Sequence, residues 1–488
     1  MSIESFEPSM LIAILPEIAL LVLAGIVVAF DAVWKPEQRR WLGWITAGGL
    51  MAILVISLLV SRPGDDTRLL FGGMLRNDWF AFAFKLLFIF GAAVTALFAI
   101  DVKEIGQKGE FYALMLVSTL GMNLMASAAD IIMLYLAIET TSIPLYIMAG
   151  FMTRDDKSTE AGFKYLLFGA ATSTIMLYGF SLLYGFSGTT NLYALAEVFY
   201  NPEFPTLAVI GSFILVIIGF GFKISAVPLH FWAPDVYEGA PTPVTGFLST
   251  ASKAAGFAVL LRVLLVVFTP IVASDWASVL ATMAVLTMTV GNLLALSQKN
   301  IKRMLAFSSI AHAGYILIGV VALSQLGVAS MVFYLVAYLI TNLAAFGAVV
   351  IFWQATGSDE IASYAGLSRR SPGLALAMMV AFLSLAGMPP LAGFVAKVFV
   401  FAAAVQSDYI WLAVVGVLNS IIGLYYYLTV LKVVYLFRSD DEDKPLLVSR
   451  PNRIALTVLT IGIVLVGTLF GPWYNLADKI AGAIFGSF

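Results

Sequence analysis

The stretch Gly221-Phe222-Lys223-Ile224-Ser225-Ala226-Val227-Pro228-Leu229-His230-Phe231-Trp232-Ala233-Pro234-Asp235-Val236-Tyr237-Glu238-Gly239 lies in a strongly apolar segment that begins near Thr206. Its hydropathy reads as a membrane-spanning helix, yet it holds a lysine, a histidine and two prolines. An ammonium group at the centre of a membrane helix costs about 3 kcal/mol on insertion scales. Pro228 removes a backbone N–H and crowds the preceding turn, and the backbone groups it frees must find partners away from bulk water. Lys223 stands about 25 Å from Thr206 at 1.5 Å per residue, too far from that end to reach water there. Charge and break together predict an interrupted helix that lines a buried polar site.

The rest of the chain supports a membrane setting. Of 488 residues, 61% are hydrophobic and 11% charged, and the mean hydropathy is +0.97, values that belong to an all-α polytopic membrane protein rather than a soluble domain. The net charge of −2 points to no nucleic acid or other polyanionic partner. Cysteine is absent, which excludes disulfides, thiolate metal sites and cysteine-held iron–sulfur clusters. No Gly-rich phosphate loop is present. The first residues carry Glu4 and Glu7 and no basic side chain, unlike a signal peptide. The expectation is a chain that binds no metal and no cofactor of its own.

Apolar runs of about 20 residues place spans near 10–31, 41–60, 78–100, 111–128, 130–151, 161–186, 206–238, 242–268, 276–296, 304–323, 327–354, 371–406, 408–437 and 454–471. The division at 128–130 is forced by length alone. Fourteen spans put both termini on one face. Alternate connections then hold 17 lysines and arginines on one face and 4 on the other, with 6 inside spans. The basic-inside bias makes the first face cytoplasmic and puts both termini on the periplasmic side.

The seventh and twelfth spans are too long, and both are interrupted: by Pro228 in one, by Gly387-Met388-Pro389-Pro390 in the other. Each carries a lysine, Lys223 and Lys397. They lie five spans apart, so a repeat of spans 4–8 in spans 9–13 would be inverted, which is the sequence pattern of a transport site. The chain divides accordingly into 1–109 (helices 1–3), 110–270 (first repeat), 271–438 (second, inverted repeat) and 439–488 (a loop and helix 14).

Charges inside the membrane mark the candidate residues. Lys253 is central in its span among Ser249, Thr250 and Ser252, and Lys397 is deep in its own. Glu139 is the mid-span carboxylate, with Lys223 the expected partner. His230 and His312, the only histidines, are candidates for proton relay. Arg262 and Lys432 lie about 8–9 Å from their helix ends and read as snorkelling side chains. Lys85 stays ambiguous, and Glu17 reads as a local feature. In chain order Glu139, Lys223, Lys253, His312 and Lys397 form a row of proton-binding groups.

Several stretches together carry a resemblance: Val227-Pro228-Leu229-His230-Phe231-Trp232-Ala233-Pro234-Asp235-Val236-Tyr237-Glu238-Gly239-Ala240-Pro241-Thr242-Pro243, Ala251-Ser252-Lys253, Gln298-Lys299-Asn300-Ile301-Lys302-Arg303-Met304-Leu305-Ala306-Phe307-Ser308-Ser309-Ile310-Ala311-His312-Ala313-Gly314-Tyr315 and Gly387-Met388-Pro389-Pro390-Leu391-Ala392-Gly393-Phe394. They resemble the subunit N family of bacterial respiratory complex I (NADH:quinone oxidoreductase), related to mitochondrial subunit 2 and to Mrp-type antiporters. The resemblance covers nearly the whole chain. It implies fourteen helices in two inverted five-helix repeats with helices 7 and 12 broken. It also implies a proton-translocating role for Glu139, Lys164, Lys223, Lys253 and Lys397, and competition between Lys164 and Lys223 for Glu139 if Lys164 faces inward. Implied partners are the other membrane subunits of the complex, the antiporter-like and small ones. NADH, FMN, iron–sulfur clusters and quinone would be handled elsewhere in the complex, and the location would be the bacterial inner membrane. Two rival readings are a cation/proton antiporter subunit without redox chemistry, and an integral-membrane enzyme or secondary transporter for an organic solute.

Overall fold

The computed structural model describes residues 8–64, 68–199 and 206–485; Glu4 and Glu7 lie outside the described residues. The protein is a bundle of membrane helices: α1 Leu15–Val33, α2 Arg40–Val60, α3 Trp79–Ala99, α4 Gly109–Ser127, α5 Ile131–Ala149, α6 Asp156–Ser187, α7 in two limbs, α8 Thr242–Phe268, α9 Thr269–Ala295, α10 Ile301–Val321, α11 Gln325–Thr356, α12 in two limbs, α13 Ile410–Leu436 and α14 Arg450–Thr468. Among the described residues twelve helices are long and apolar enough to cross a membrane. The two other expected spans are α4 and the broken α12. The forced division at 128–130 falls where one helix ends and the next begins. There Asp130 caps α5, its carboxylate accepting from Ile132 N at 2.8 Å and Met133 N at 3.2 Å.

Both long spans are interrupted where the prolines stand. Limb α7a (Thr206–Ile224) is followed by seven residues, 225–231, and then by limb α7b (Trp232–Gly239). The freed backbone is met by side chains: Trp232 Nε1 donates to Phe222 O at 3.1 Å, and Val227 N donates to Thr287 Oγ1 of α9 at 2.9 Å. Limb α12a (Pro372–Ala386) ends at Gly387 with φ +87, and limb α12b (Ala392–Gln406) follows. There Gly393 N donates to Ser384 Oγ at 3.0 Å. Partners of this kind are what make an irregular backbone tolerable at membrane depth.

The centre of the bundle is α8, α10 and α11, whose side chains are almost wholly buried, whereas α1, α2 and α6 expose most of their surface. Tight crossings come from small residues: a Cβ on Gly291 of α9 would meet Ala311 N at 2.6 Å, and one on Gly314 of α10 would meet Met288 N at 2.7 Å.

Elements beyond the expected spans appear as well, among them the following. A hairpin pairs Arg68–Leu70 with Leu75–Asn77, a short helix spans Leu192–Phe199, and α15, Phe470–Phe485, packs on α11 and α3. On α15, Asp478 accepts from Gln325 Nε2 at 2.9 Å, and Lys479 Nζ lies 4.1 Å from the Trp79 ring centroid.

Arg262 does not snorkel. It is 2% exposed and holds Asp78 with both terminal nitrogens, at 2.8 and 3.0 Å, while also donating to Ala126 O at 3.0 Å and Tyr193 OH at 3.3 Å. Depth along its own helix was misleading because the hairpin, the 192–199 helix and the start of α3 fold over that end. Lys432 is exposed as expected. Lys85 and Glu17, by contrast, form a buried pair at 2.8 Å between α3 and α1. Removing one partner of a buried pair costs about 3–5 kcal/mol. Arg262→Ala should therefore abolish stable assembly or lower the melting temperature sharply, whereas Lys432→Ala should leave both near wild type, as read by the amount and thermal stability of the chain in membranes.

Candidate functional site

The polar groups of the core follow one face of α10. Ser309, His312 and Tyr315 recur every third residue, so they line one stripe. Lys253 of α8 meets the near end: its Nζ donates to Ser309 O at 2.9 Å and to Ser309 Oγ at 2.6 Å. The turn Leu248–Ser252 just before it is a π-helical segment, a local widening common at functional positions. Tyr338 of α11 donates to Ser309 Oγ at 2.8 Å, and Asn342 Nδ2 donates to Tyr338 OH at 3.0 Å and to Ser249 Oγ at 2.7 Å. His312 follows, with Nδ1 2.8 Å from Tyr334 OH and Nε2 3.3 Å from Tyr427 OH, and the Tyr427 hydroxyl bonds Ser308. At the far end Lys397 Nζ lies 4.8 Å from the Tyr315 ring centroid and donates to Leu385 O and Ala386 O, both at 3.1 Å. These are the last carbonyls of α12a, the negative end of its dipole, a favourable place for a cation. Lys253, His312 and Lys397 thus follow one another along this stripe, with Ser309 and Tyr338 between the first two and the Tyr315 ring between the last two, the His312 ring centroid 5.1 Å from that of Tyr338 and 5.7 Å from that of Tyr315.

The other end of the row departs from expectation. Lys223 forms no ion pair with Glu139 among the described residues. Its Nζ donates to Ser142 Oγ at 2.6 Å, and the Glu139 carboxylate is bonded by Ser173 of α6. Ser142 lies three residues beyond Glu139 on α5, one turn along the same face, so it intercepts the ammonium. A pocket of about 20 Å³ lined by Ser142, Ser173 and Lys223 lies beside them, room for about one water molecule. Lys223 also packs along α8: a Cβ on Gly256, three residues past Lys253, would meet Lys223 Cγ at 3.1 Å.

Lys164 does not compete for Glu139. It pairs with Glu160 at 2.7 Å and Asp235 at 2.6 Å, partly exposed at the end of the bundle. It belongs to a charge cluster that clamps α7b: Arg303 pairs with Asp235 at 2.7 Å and Glu238 at 3.0 Å, and Lys157 with Glu238 at 2.9 Å. Lys302 donates to Glu238 O at 2.6 Å and Ala240 O at 2.8 Å. Beside the cluster, burial pushes the Asp359 carboxyl above its usual range, and Lys302 opposes that shift. His230 is also off the row. It is buried in the α7 break, its ring centroid 4.4 Å from that of Phe231, and its Nδ1 has no hydrogen-bond partner among the described residues.

Sequence reading missed the neutral partners Ser142, Ser173, Ser309, Tyr334, Tyr338 and Tyr427. One signal was present: Ser308 and Ser309 stand four and three residues before His312 in the mostly apolar run 304–321.

Buried amines and an imidazole strung between two interrupted helices define the class: a polytopic membrane protein of antiporter architecture. The family model described as NADH:quinone oxidoreductase/Mrp antiporter, TM, matches residues 128–423, and the chain belongs to that family. NADH-quinone oxidoreductase subunit N of Moorella thermoacetica is 43% identical over 451 residues, 92% of this chain and 94% of that protein. The protein of the same name from Dehalococcoides mccartyi is 41% identical over 481 residues, covering 95% and 98%. A chain of respiratory complex I from Thermus thermophilus superposes with a TM-score of 0.79 at 33% identity, covering 95% of this chain and 99% of that one. A chain of the Mrp complex from Dietzia sp. gives 0.85 at 20% identity, covering 99% and 98%, a likeness of fold alone.

Proposed function

We propose that this chain is a proton-translocating, antiporter-like membrane subunit of an NADH:quinone oxidoreductase, moving protons along the Glu139–Lys223–Lys253–His312–Lys397 row. The observation that carries the reading is the buried polar line from Lys253 through Ser309 and Tyr338, whose ring centroid lies 5.1 Å from that of His312, and on past Tyr315 to Lys397. The likeness to relatives named as quinone oxidoreductase subunits favours this over an Mrp-type cation/proton antiporter, for which fold alone speaks.

The subunit would carry no redox centre. Flavin, iron–sulfur clusters, NADH and quinone would belong to other parts of the complex, and the partners would be its other membrane subunits. The two five-helix repeats of α4–α8 and α9–α13 would each contribute one interrupted helix.

The three lysines of the row are held by neutral oxygens. An ammonium so held can become a neutral amine without stranding an anion, whereas breaking an ion pair leaves one behind. The row is therefore built to exchange protons, and the clusters around it to stay charged. Lys223→Arg should test this, because a guanidinium keeps its proton in proteins. An assembled Lys223→Arg complex in vesicles should oxidise NADH with a severalfold lower proton uptake per NADH. Wild-type uptake would assign Lys223 a structural role.

The basic bias places the Lys157–Arg303 cluster and the 437–449 loop in the cytoplasm and both termini in the periplasm of a bacterial inner membrane. The chain has no cysteine, so single cysteines report cleanly. An impermeant thiol reagent added to whole cells should label Arg62→Cys and spare Asp443→Cys. The reverse pattern would invert the orientation.

A further inference from the structure

Beside the link from Lys253 to His312 stands Asn342 of α11, a fully buried amide that no step of the row uses. Its Nδ2 donates twice, to Ser249 Oγ of α8 at 2.7 Å and to Tyr338 OH at 3.0 Å. Both hydroxyls can only accept from it, because their own hydrogens are committed: Ser249 donates to Gly246 O at 2.9 Å and Tyr338 to Ser309 Oγ at 2.8 Å. The nitrogen end of the amide therefore has to face them. The other end is left over: Oδ1 is buried and has no hydrogen-bond partner among the described residues, a costly state for an interior acceptor.

The amide has a second way to sit. Turned over about its last torsion, it would present Oδ1 to the same two hydroxyls. Tyr338 would then donate to Oδ1 in place of Ser309. Ser249 would do likewise, since Gly246 O keeps the Thr250 hydroxyl as a donor at 2.7 Å. Each orientation bonds both hydroxyls and leaves one end of the amide over, so the two differ little in hydrogen bonding. What differs is the direction of the Ser309–Tyr338 bond. As found, Ser309 Oγ accepts from both Lys253 Nζ, at 2.6 Å, and Tyr338, which fills the two lone pairs of a hydroxyl. Ser309 cannot donate to Tyr338 while Tyr338 donates to it. With the amide turned, the Tyr338 oxygen is open to Ser309, on the side that leads to His312, whose ring centroid lies 5.1 Å from that of Tyr338.

We propose that the Asn342 amide is a gate beside Lys253. With its nitrogen toward Tyr338 it points the Ser309–Tyr338 bond back at Lys253 and keeps the proton there. With its oxygen toward Tyr338 it reverses that bond, and the hydrogen-bonded line runs outward from Lys253 through Ser309 to Tyr338. Asn342 is a positioning residue and takes no proton itself. The gate rests on the reading of Lys253 as a proton carrier.

The test is proton uptake per NADH oxidised, followed against pH, in vesicles holding the assembled complex. Asn342→Leu keeps the size and removes both ends of the amide. Asn342→Asp keeps the shape: its neutral carboxyl still has one donor and one acceptor, whereas its ionised form only accepts and meets the Lys253 ammonium as a carboxylate. The titratable groups in this part of the row are Lys253, Tyr237, whose ring centroid is 6.0 Å from Lys253 Nζ, Tyr338 and His312. The gate predicts a severalfold lower ratio in Asn342→Leu at every pH. In Asn342→Asp the ratio should rise toward wild type as the pH falls and the carboxyl takes up its proton. A wild-type ratio in Asn342→Leu, or one and the same pH profile in the two variants, would overturn the gate. Failure of the carrier reading shows separately, as a wild-type ratio in Lys253→Ala alone.

Discussion

An ammonium group buried in a membrane protein must be met by oxygen, and the kind of oxygen decides what the group can do. In this protein the lysines of the central row are met by neutral dipoles: Ser142 at Lys223, Ser309 at Lys253, and two helix-terminal carbonyls at Lys397. Outside the row, Lys85 is met by Glu17, Arg262 by Asp78, and Lys164 and Arg303 by Asp235. Carboxylates lock a charge in place because losing it strands the partner. Dipoles hold a charge without that penalty. One bundle thereby keeps dipole-held and carboxylate-held cations a few turns apart.

The irregular backbone serves the same end. A regular helix keeps its carbonyls for itself, so Lys397 can be coordinated only because α12a stops at Ala386 and leaves its last carbonyls free. The same device recurs at Lys302, which bonds carbonyls at the end of α7b, and at Lys85, which reaches Ala13 O at 3.4 Å where the Pro8–Ala13 helix ends. The prolines and glycines that interrupt these spans are thus part of the electrostatics. The price of exposing backbone is met locally, by Trp232, Thr287 and Ser384.

Much of this was legible in the sequence. Span count follows from run length, and the breaks in α7 and α12 follow from proline inside an overlong apolar run. The burial of Lys253 and Lys397 follows from their depth in their spans. What was not legible depends on distant chain. Arg262 sits near its helix end, as a snorkelling residue would, and only the hairpin at 68–77 and the helix at 192–199 turn that end into interior. The Glu139–Lys223 pair was expected because opposite charges in lipid seek each other, yet the hydroxyls of Ser142 on α5 and Ser173 on α6 engage them instead. Serine and tyrosine are too common in membrane helices to be singled out without the fold. Glu17 and Lys85 are 68 residues apart, and no local pattern links them.

The central claim is that protons move through the dipole-held lysines and not through the ion-paired ones. The most direct measurement is the ratio of protons taken up to NADH oxidised in vesicles carrying assembled Lys253→Met or Lys85→Met complexes. Both variants remove a buried ammonium and keep an unbranched side chain only one heavy atom shorter. The account predicts a severalfold lower ratio for Lys253→Met and a wild-type ratio for Lys85→Met. Equal losses in the two, or a wild-type ratio for Lys253→Met, would contradict it.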